Sequence, residues 1–185
     1  MKILSGQLKG RNFYMPEGIR PTQNLVRKAI FDILGDITGM DFLELFAGSG
    51  AVGFEAFSRG AKRVTLVEGN LHAIEVIRKN MEFLQIRSED SPLCGLRLIV
   101  GDVFSVIKHL SAQQRKFDII FLDPPYGQEL GKKALKALGG YDILHPNSFI
   151  ILQADRREIL PESEGRFLLV KARRYGGSCL RIYKA

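Results

Sequence analysis

Through the middle of the chain, short apolar runs alternate with stretches whose apolar residues recur every three or four positions. Asp41–Ala47, Arg63–Glu68, Arg97–Val100, Phe117–Leu122 and Ser148–Gln153 read as strands, and the Phe117 run is the most apolar. Between them lie helical stripes: Ala51, Phe54, Phe57 and Ala61; Leu71, Ile74, Ile77, Met81 and Leu84; Val103, Val106, Ile107 and Leu110; Leu130, Ala134, Ala137 and Leu138. Such alternation predicts a doubly wound α/β domain with a mostly parallel sheet and helices on both faces. Phe167–Ala172 and Ser178–Tyr183 then read as strands with no helix between them. Gly176-Gly177 separates them and suits a hairpin turn, so an antiparallel pair finishes a seven-stranded sheet. Residues 1–38 look like an extension ahead of the main domain at 39–185. Lys2–Gly6 and Arg11–Met15 predict a short hairpin. Thr22–Gly35 predicts a helix entered through Arg20-Pro21, with Val26, Ala29, Ile30 and Ile33 on one face. Gln85–Gly95 is polar and reads as a surface loop.

Composition narrows the class. The 185 residues are 45% apolar and 25% charged, which is ordinary for one globular domain. No apolar run approaches the roughly 18 residues of a membrane-spanning helix. The first ten residues lack the apolar core of a secretory signal, and two cysteines, Cys94 and Cys179, make no disulfide scaffold. A cytoplasmic protein is expected. The net charge is +7, and its distribution is uneven. Residues 1–40 carry six basic and three acidic side chains (+3), residues 41–155 carry 13 and 14 (−1), and residues 156–185 carry eight and three (+5). Basic ends around a near-neutral middle fit a polyanion partner gripped at the periphery, with Arg173 and Arg174 among the candidates for phosphate contacts.

Gly48-Ser49-Gly50-Ala51-Val52-Gly53 matches G-x-G-x-x-G between a predicted strand and a predicted helix, and Glu68 ends the next strand 20 residues later. Glycines let the backbone approach a cofactor, and an acid at that spacing can accept ribose hydroxyls. The loop suits a dinucleotide or S-adenosylmethionine. Glu44, on the strand entering the loop, favours the latter, because it would attract a cationic amino-acid end and repel a pyrophosphate. Asp102, after the third strand, could accept an adenine amino group. It could equally be a plain helix N-cap.

Asp123-Pro124-Pro125-Tyr126 closes the fourth strand, where ligands sit in doubly wound sheets. The prolines make a stiff turn without N–H donors, and Tyr126 offers a ring face to a flat base. The Asp123 carboxylate and the Pro124 carbonyl can accept the two N–H bonds of an exocyclic amine. That localises the nitrogen lone pair for attack on a sulfonium methyl. The remaining work is positioning and electrostatics. Neither cysteine is placed to activate a ring carbon, and His72, His109 and His145 lack metal-ligand spacing, so no metal is expected.

Leu43-Glu-Leu-Phe-Ala-Gly-Ser-Gly-Ala-Val-Gly53, Glu68 and Asp123-Pro-Pro-Tyr126 resemble S-adenosylmethionine-dependent amino-methyltransferases. Ser5-Gly-x-Leu-Lys-Gly-Arg11, Ile19-Arg-Pro-Thr22, Val26-Arg-Lys-Ala-Ile-Phe31 and Tyr175-Gly-Gly-x-x-Leu180 are similar to the bacterial RsmD family, so the resemblance covers nearly the whole chain. It implies a Rossmann-like methyltransferase fold and transfer of methyl to guanine N2 of 16S ribosomal RNA, alone or within a 30S particle or assembly intermediate, by a monomer. S-Adenosylhomocysteine would be the product. It implies that Glu44, Phe46, Ala47, Gly48, Ser49, Gly50, Glu68, Gly69, Asp102 and Val103 hold the cofactor. Asp123, Pro124, Pro125 and Tyr126 would hold the guanine, with Arg20, Thr22 and Arg27 near the mouth. Asp-Pro-Pro-Tyr alone is shared with DNA adenine methyltransferases, and the glycine loop alone with nicotinamide-dependent oxidoreductases. The N-terminal block therefore carries the RNA assignment. Glu44 replaces the family's more usual Asp, and Gln153 stands where an acid is expected.

Overall fold

The computed structural model describes residues 1–18, 24–86, 95–126 and 129–185. Helix α1 spans Asn24–Leu34, followed by β1 (Asp41–Leu45), α2 (Ala51–Ser58), β2 (Arg63–Glu68), α3 (Leu71–Phe83) and β3 (Gly95–Val100). Then come α4 (Val103–Ala112), β4 (Phe117–Leu122), α5 (Leu130–Gly140), β5 (Leu144–Asp155), β6 (Ser163–Glu164), β7 (Phe167–Tyr175) and β8 (Ser178–Lys184). The sheet has the order β3-β2-β1-β4-β5-β8-β7-β6. Its first five strands run parallel, and β8, β7 and β6 pair antiparallel.

Period-2 alternation sorts the two faces. Phe42, Val64, Leu66, Ile119, Phe121 and Ile151 pack under Val26, Ile30, Phe31, Phe54, Ile77 and Met81 of α1, α2 and α3. Leu43, Leu45, Val67, Ile120, Leu122 and Leu152 pack under Val106, Leu110, Leu135 and Leu138 of α4 and α5. Helix α1 supplies part of the first core. Ile3 and Phe13 of the N-terminal segment join the same core.

Three expectations change. The sheet has an eighth strand: β6 is two residues long, too short to leave a periodic signal, and caps the β7 edge. The expected N-terminal hairpin shortens to the bridge from Lys2 to Asn12, with Ile3 N–H donating to the Arg11 carbonyl (3.0 Å) and Phe13 N–H to the Met1 carbonyl (2.8 Å). Beyond Ile3 the donors go elsewhere: Leu4 N–H to Glu55 (2.7 Å), Gln7 N–H to the Ser58 carbonyl (2.7 Å) and Leu8 N–H to Ser58 Oγ (2.9 Å). Donors spent on α2 are lost to a ladder. The first strand ends at Leu45 rather than Ala47, because Phe46 adopts a left-handed φ of 59°.

Candidate active site

The strand order reverses between β1 and β4, with β2 and β3 on one side and β5 on the other. The crevice at such a switch point, beyond the carboxyl ends of the strands, is the usual ligand position. The glycine loop after β1 and Asp123–Tyr126 after β4 flank it. A left-handed Phe46 is costly for a bulky side chain, and such strain concentrates at ligand-binding turns. Gly50, at φ 74°, caps α2 where an added Cβ would meet Phe54 at 2.9 Å.

Two other turns join this loop. Gly48 N–H donates to Glu68 Oε2 (2.7 Å), while Gly69 N–H and Asn70 N–H donate to Glu68 Oε1 (2.9 and 2.8 Å). Gly101 N–H donates to the Glu68 carbonyl (3.0 Å), bringing the β3–α4 turn alongside. Asp102 caps α4: its Oδ1 accepts Ser105 N–H (2.9 Å) and lies 3.1 Å from Ser105 Oγ. The N-cap reading of Asp102 thus describes its geometry, and the carboxylate remains exposed at the crevice rim. Val103 is buried directly behind it. The Phe46 ring packs edge-on to Phe104, with centroids 6.5 Å apart.

Glu44 is 2% exposed and lies beneath α2. Its Oε2 accepts Gly53 N–H at 2.7 Å. A Cβ at Gly53 would come within 2.7 Å of that oxygen and 2.2 Å of Leu66, so a glycine is needed for this approach. Burial pushes the Glu44 carboxyl up to about 8; the Gly53 and Val52 N–H groups oppose this, and nearby Asp123 and Glu68 reinforce it. Three carboxylates thus converge on one crevice. Neither Glu44 nor Glu68 forms an ion pair with a basic side chain among the described residues.

Asp123 is half-buried, Pro124 buried, Pro125 exposed and Tyr126 half-buried. The Tyr126 hydroxyl sits 3.1 Å from Ser178 Oγ on β8 and receives Gln153 Nε2 from β5 at 3.4 Å. A cleft of about 530 Å³ opens beside it, lined by Tyr126, Glu129, Lys132, Asp155, Arg157, Glu158 and Ile159.

Among the solved structures, "Putative methyltransferase yhhF from Escherichia coli" superposes at a TM-score of 0.84 and 28% identity, over 100% of this chain and 97% of that one. The family model described as "Conserved hypothetical protein 95" matches residues 1–184. The chain belongs to the RsmD family. "Putative rRNA methyltransferase YlbH" of Bacillus subtilis is 32% identical over 100% of this chain and 98% of that protein. "Ribosomal RNA small subunit methyltransferase D" of Haemophilus influenzae is 31% identical over 100% and 93%.

Not every residue that the resemblance to the RsmD family suggests reaches the crevice. Arg20 and Thr22 lie outside the described residues. Arg27 is 0% exposed, and its guanidinium donates to the Lys2 carbonyl and, at 3.1 Å, to Asn24 Oδ1. It also lies 3.8 Å from Glu55. No RNA phosphate can touch it; it ties the N-terminal segment to α1 and α2. Arg173 and Arg174 are exposed but oppose Leu180 and Cys179 of β8, so they project from opposite faces of the sheet. Arg174 lines a niche of about 130 Å³ with Arg156, Arg181 and Cys179. Cys94 lies outside the described residues.

One histidine does find carboxylates. His145, Asp41 and Asp118 come within 4.8 Å of one another at the opposite end of the sheet. There Asp41 takes a two-pronged pair from Arg63, and Asp118 accepts Asp41 N–H at 2.8 Å. Sequence reasoning missed Phe104, Asn70 and Ser178. Asn70 caps α3 by accepting Ala73 N–H at 3.1 Å, and a capping signal could have found it. Phe104 and Ser178 gave no local signal, because only tertiary packing puts them in the crevice.

Proposed function

We propose that the chain transfers a methyl group from S-adenosylmethionine to the exocyclic N2 of a guanine in 16S ribosomal RNA, as a monomer acting on a 30S particle or its assembly intermediate. The observation that carries this reading is the gathering of Glu44, Glu68 and Asp123 around the glycine loop behind Asp-Pro-Pro-Tyr. A dinucleotide pyrophosphate would face carboxylates there. A cofactor with a cationic ammonium and sulfonium would complement them. The names of the RsmD-family relatives support ribosomal RNA as the acceptor.

When bound, the cofactor supplies an electrophilic methyl. The chain's own residues do the rest. Glu44 and the loop backbone hold the amino-acid end, Glu68 and Gly69 the ribose, and Asp102 and Val103 the adenine, with Phe46, Ala47, Ser49 and Gly50 shaping the loop. Asp123 and the Pro124 carbonyl accept the two amine N–H bonds, and Tyr126 stacks on the flipped base. Pro125 keeps the turn rigid. The amine proton leaves after transfer to Asp123 or to water. The purified protein should place labelled methyl on small-subunit RNA, and digestion to nucleosides should give N2-methylguanosine. Label in a DNA adenine, or none in either nucleic acid, would defeat this reading.

A further inference from the structure

Gln153 is 5% exposed, and the two ends of its amide are treated differently. Nε2 donates to the Tyr126 hydroxyl at 3.4 Å, and that hydroxyl also pairs with Ser178 Oγ at 3.1 Å. Oε1 is buried and has no partner among the described residues. An unmade bond of that kind carries the desolvation penalty of the group, and in native proteins it calls for an explanation such as a role in the chemistry. The location fits. Leu122 of β4 pairs with Leu152 of β5. One residue further along come Asp123, just past the end of β4, and Gln153 of β5, from adjacent strands spaced roughly 5 Å apart. The Tyr126 contact keeps the tetrapeptide folded over that side.

We propose that Gln153 selects guanine, its Oε1 accepting the ring N1–H while Asp123 and the Pro124 carbonyl hold the neighbouring amine. This rests on the proposed guanine-N2 activity and adds its specificity element. The reasoning is donor–acceptor complementarity. Beside the guanine 2-amino group the ring carries a hydrogen-bond donor, N1–H. Beside the adenine 6-amino group it carries N1, and beside the cytosine 4-amino group N3; both are acceptors. A fixed carbonyl oxygen next to Asp123 completes a bond with guanine and opposes a lone pair in the other two. Tyr126 and Ser178 are positioning residues here, since they hold the amide with oxygen toward the base.

Small-subunit RNA can be assembled by ligation with either guanine or 2-aminopurine at the methylated position. 2-Aminopurine keeps the 2-amino group and lacks N1–H. The wild type should favour guanine by on the order of 10–100-fold in kcat/KM. Gln153→Met, of similar volume, should reduce that ratio to within a few-fold of unity while leaving cofactor affinity unchanged. Gln153→Glu retains an acceptor oxygen in either protonation state and should keep the preference. A wild-type ratio near one overturns the proposal, and that measurement needs no variant to fold. So does an undiminished ratio in Gln153→Met. If the wild type methylates no guanine at all, the parent reading falls and the selection with it.

Discussion

The two ends of the sheet carry similar acids in opposite circumstances. At the amino ends of the strands, Asp41 is gripped by Arg63, and Asp118 holds the Asp41 backbone N–H. Asp41 raises the Arg63 guanidinium above its ordinary value, as expected for a satisfied pair. At the carboxyl ends, Glu44 and Glu68 are held by backbone N–H groups alone among the described residues. Backbone N–H groups fix an acid in place without supplying a counter-charge. One end therefore carries its own counter-charge, and the other has none among the described residues. Proximity of acids does not distinguish a site from a brace; the identity of their partners does.

The contrast can be broken most sharply at Asp123. Asp123→Ala should lower methyl transfer by at least 10²–10³-fold, the order seen when one catalytic polar group is removed, with cofactor affinity within a few-fold. Retained activity would dismantle the assignment. Next in size is Arg27→Ala. It leaves buried Glu55 without one of its partners and should cost about 3–5 kcal/mol in denaturant melts, while folded molecules keep their RNA affinity. Arg63→Ala should cost about 1–2 kcal/mol and leave cofactor binding unchanged, since it belongs to the brace. A loss of cofactor affinity there would erase the distinction between the ends.

Glu44→Gln keeps an acceptor for Gly53 N–H and deletes the charge. Cofactor affinity should fall about tenfold, the effect of about 1.4 kcal/mol. Stability should move the other way. The Glu44 carboxyl rises from an ordinary 4.5 to about 8 in the folded protein. Between those values the unfolded chain has lost a proton that the folded chain keeps. The unliganded wild type should therefore lose stability as pH rises through that window, at up to about 1.4 kcal/mol per unit. Glu44→Gln should remove that slope in pH-dependent melts. The smallest effects belong to the periphery. Arg173→Ala and Arg174→Ala should each weaken RNA binding a few-fold and reduce its salt slope by about one. Because the two project from opposite faces, the face the RNA follows should show the larger change.

Much of this was legible in the sequence because its signals are local. The glycine loop, Glu68 at its 20-residue spacing and Asp-Pro-Pro-Tyr at a strand end are each set by a single turn, and the structure brings these three turns to one crevice. The helical and strand periods foretold α2, α4 and β4 to within a residue or two. What stayed hidden depends on long-range packing. Arg27 reads as a surface base until Lys2, Asn24 and Glu55 close around it. The Lys2–Gly6 strand reads as a longer arm of a hairpin until α2 takes the Leu4 N–H and ends the pairing at Ile3. Arg173 and Arg174 read as one patch until strand alternation sends them to different faces. Gln153 reads as a departure from an acidic position until its amide is seen with one end tied and one unmet.

The central claim is that the carboxyl-end acids await a cationic cofactor. Calorimetric titration of S-adenosylmethionine at pH 7, in buffers of different ionisation enthalpy, counts the protons exchanged on binding. A Glu44 carboxyl near 8 is mostly protonated at that pH and must ionise to pair with the incoming cation. Saturable binding with release of close to one proton per site is the predicted result, abolished in Glu44→Gln. Binding without proton release would contradict the account, as would saturable binding of NAD with none of S-adenosylmethionine.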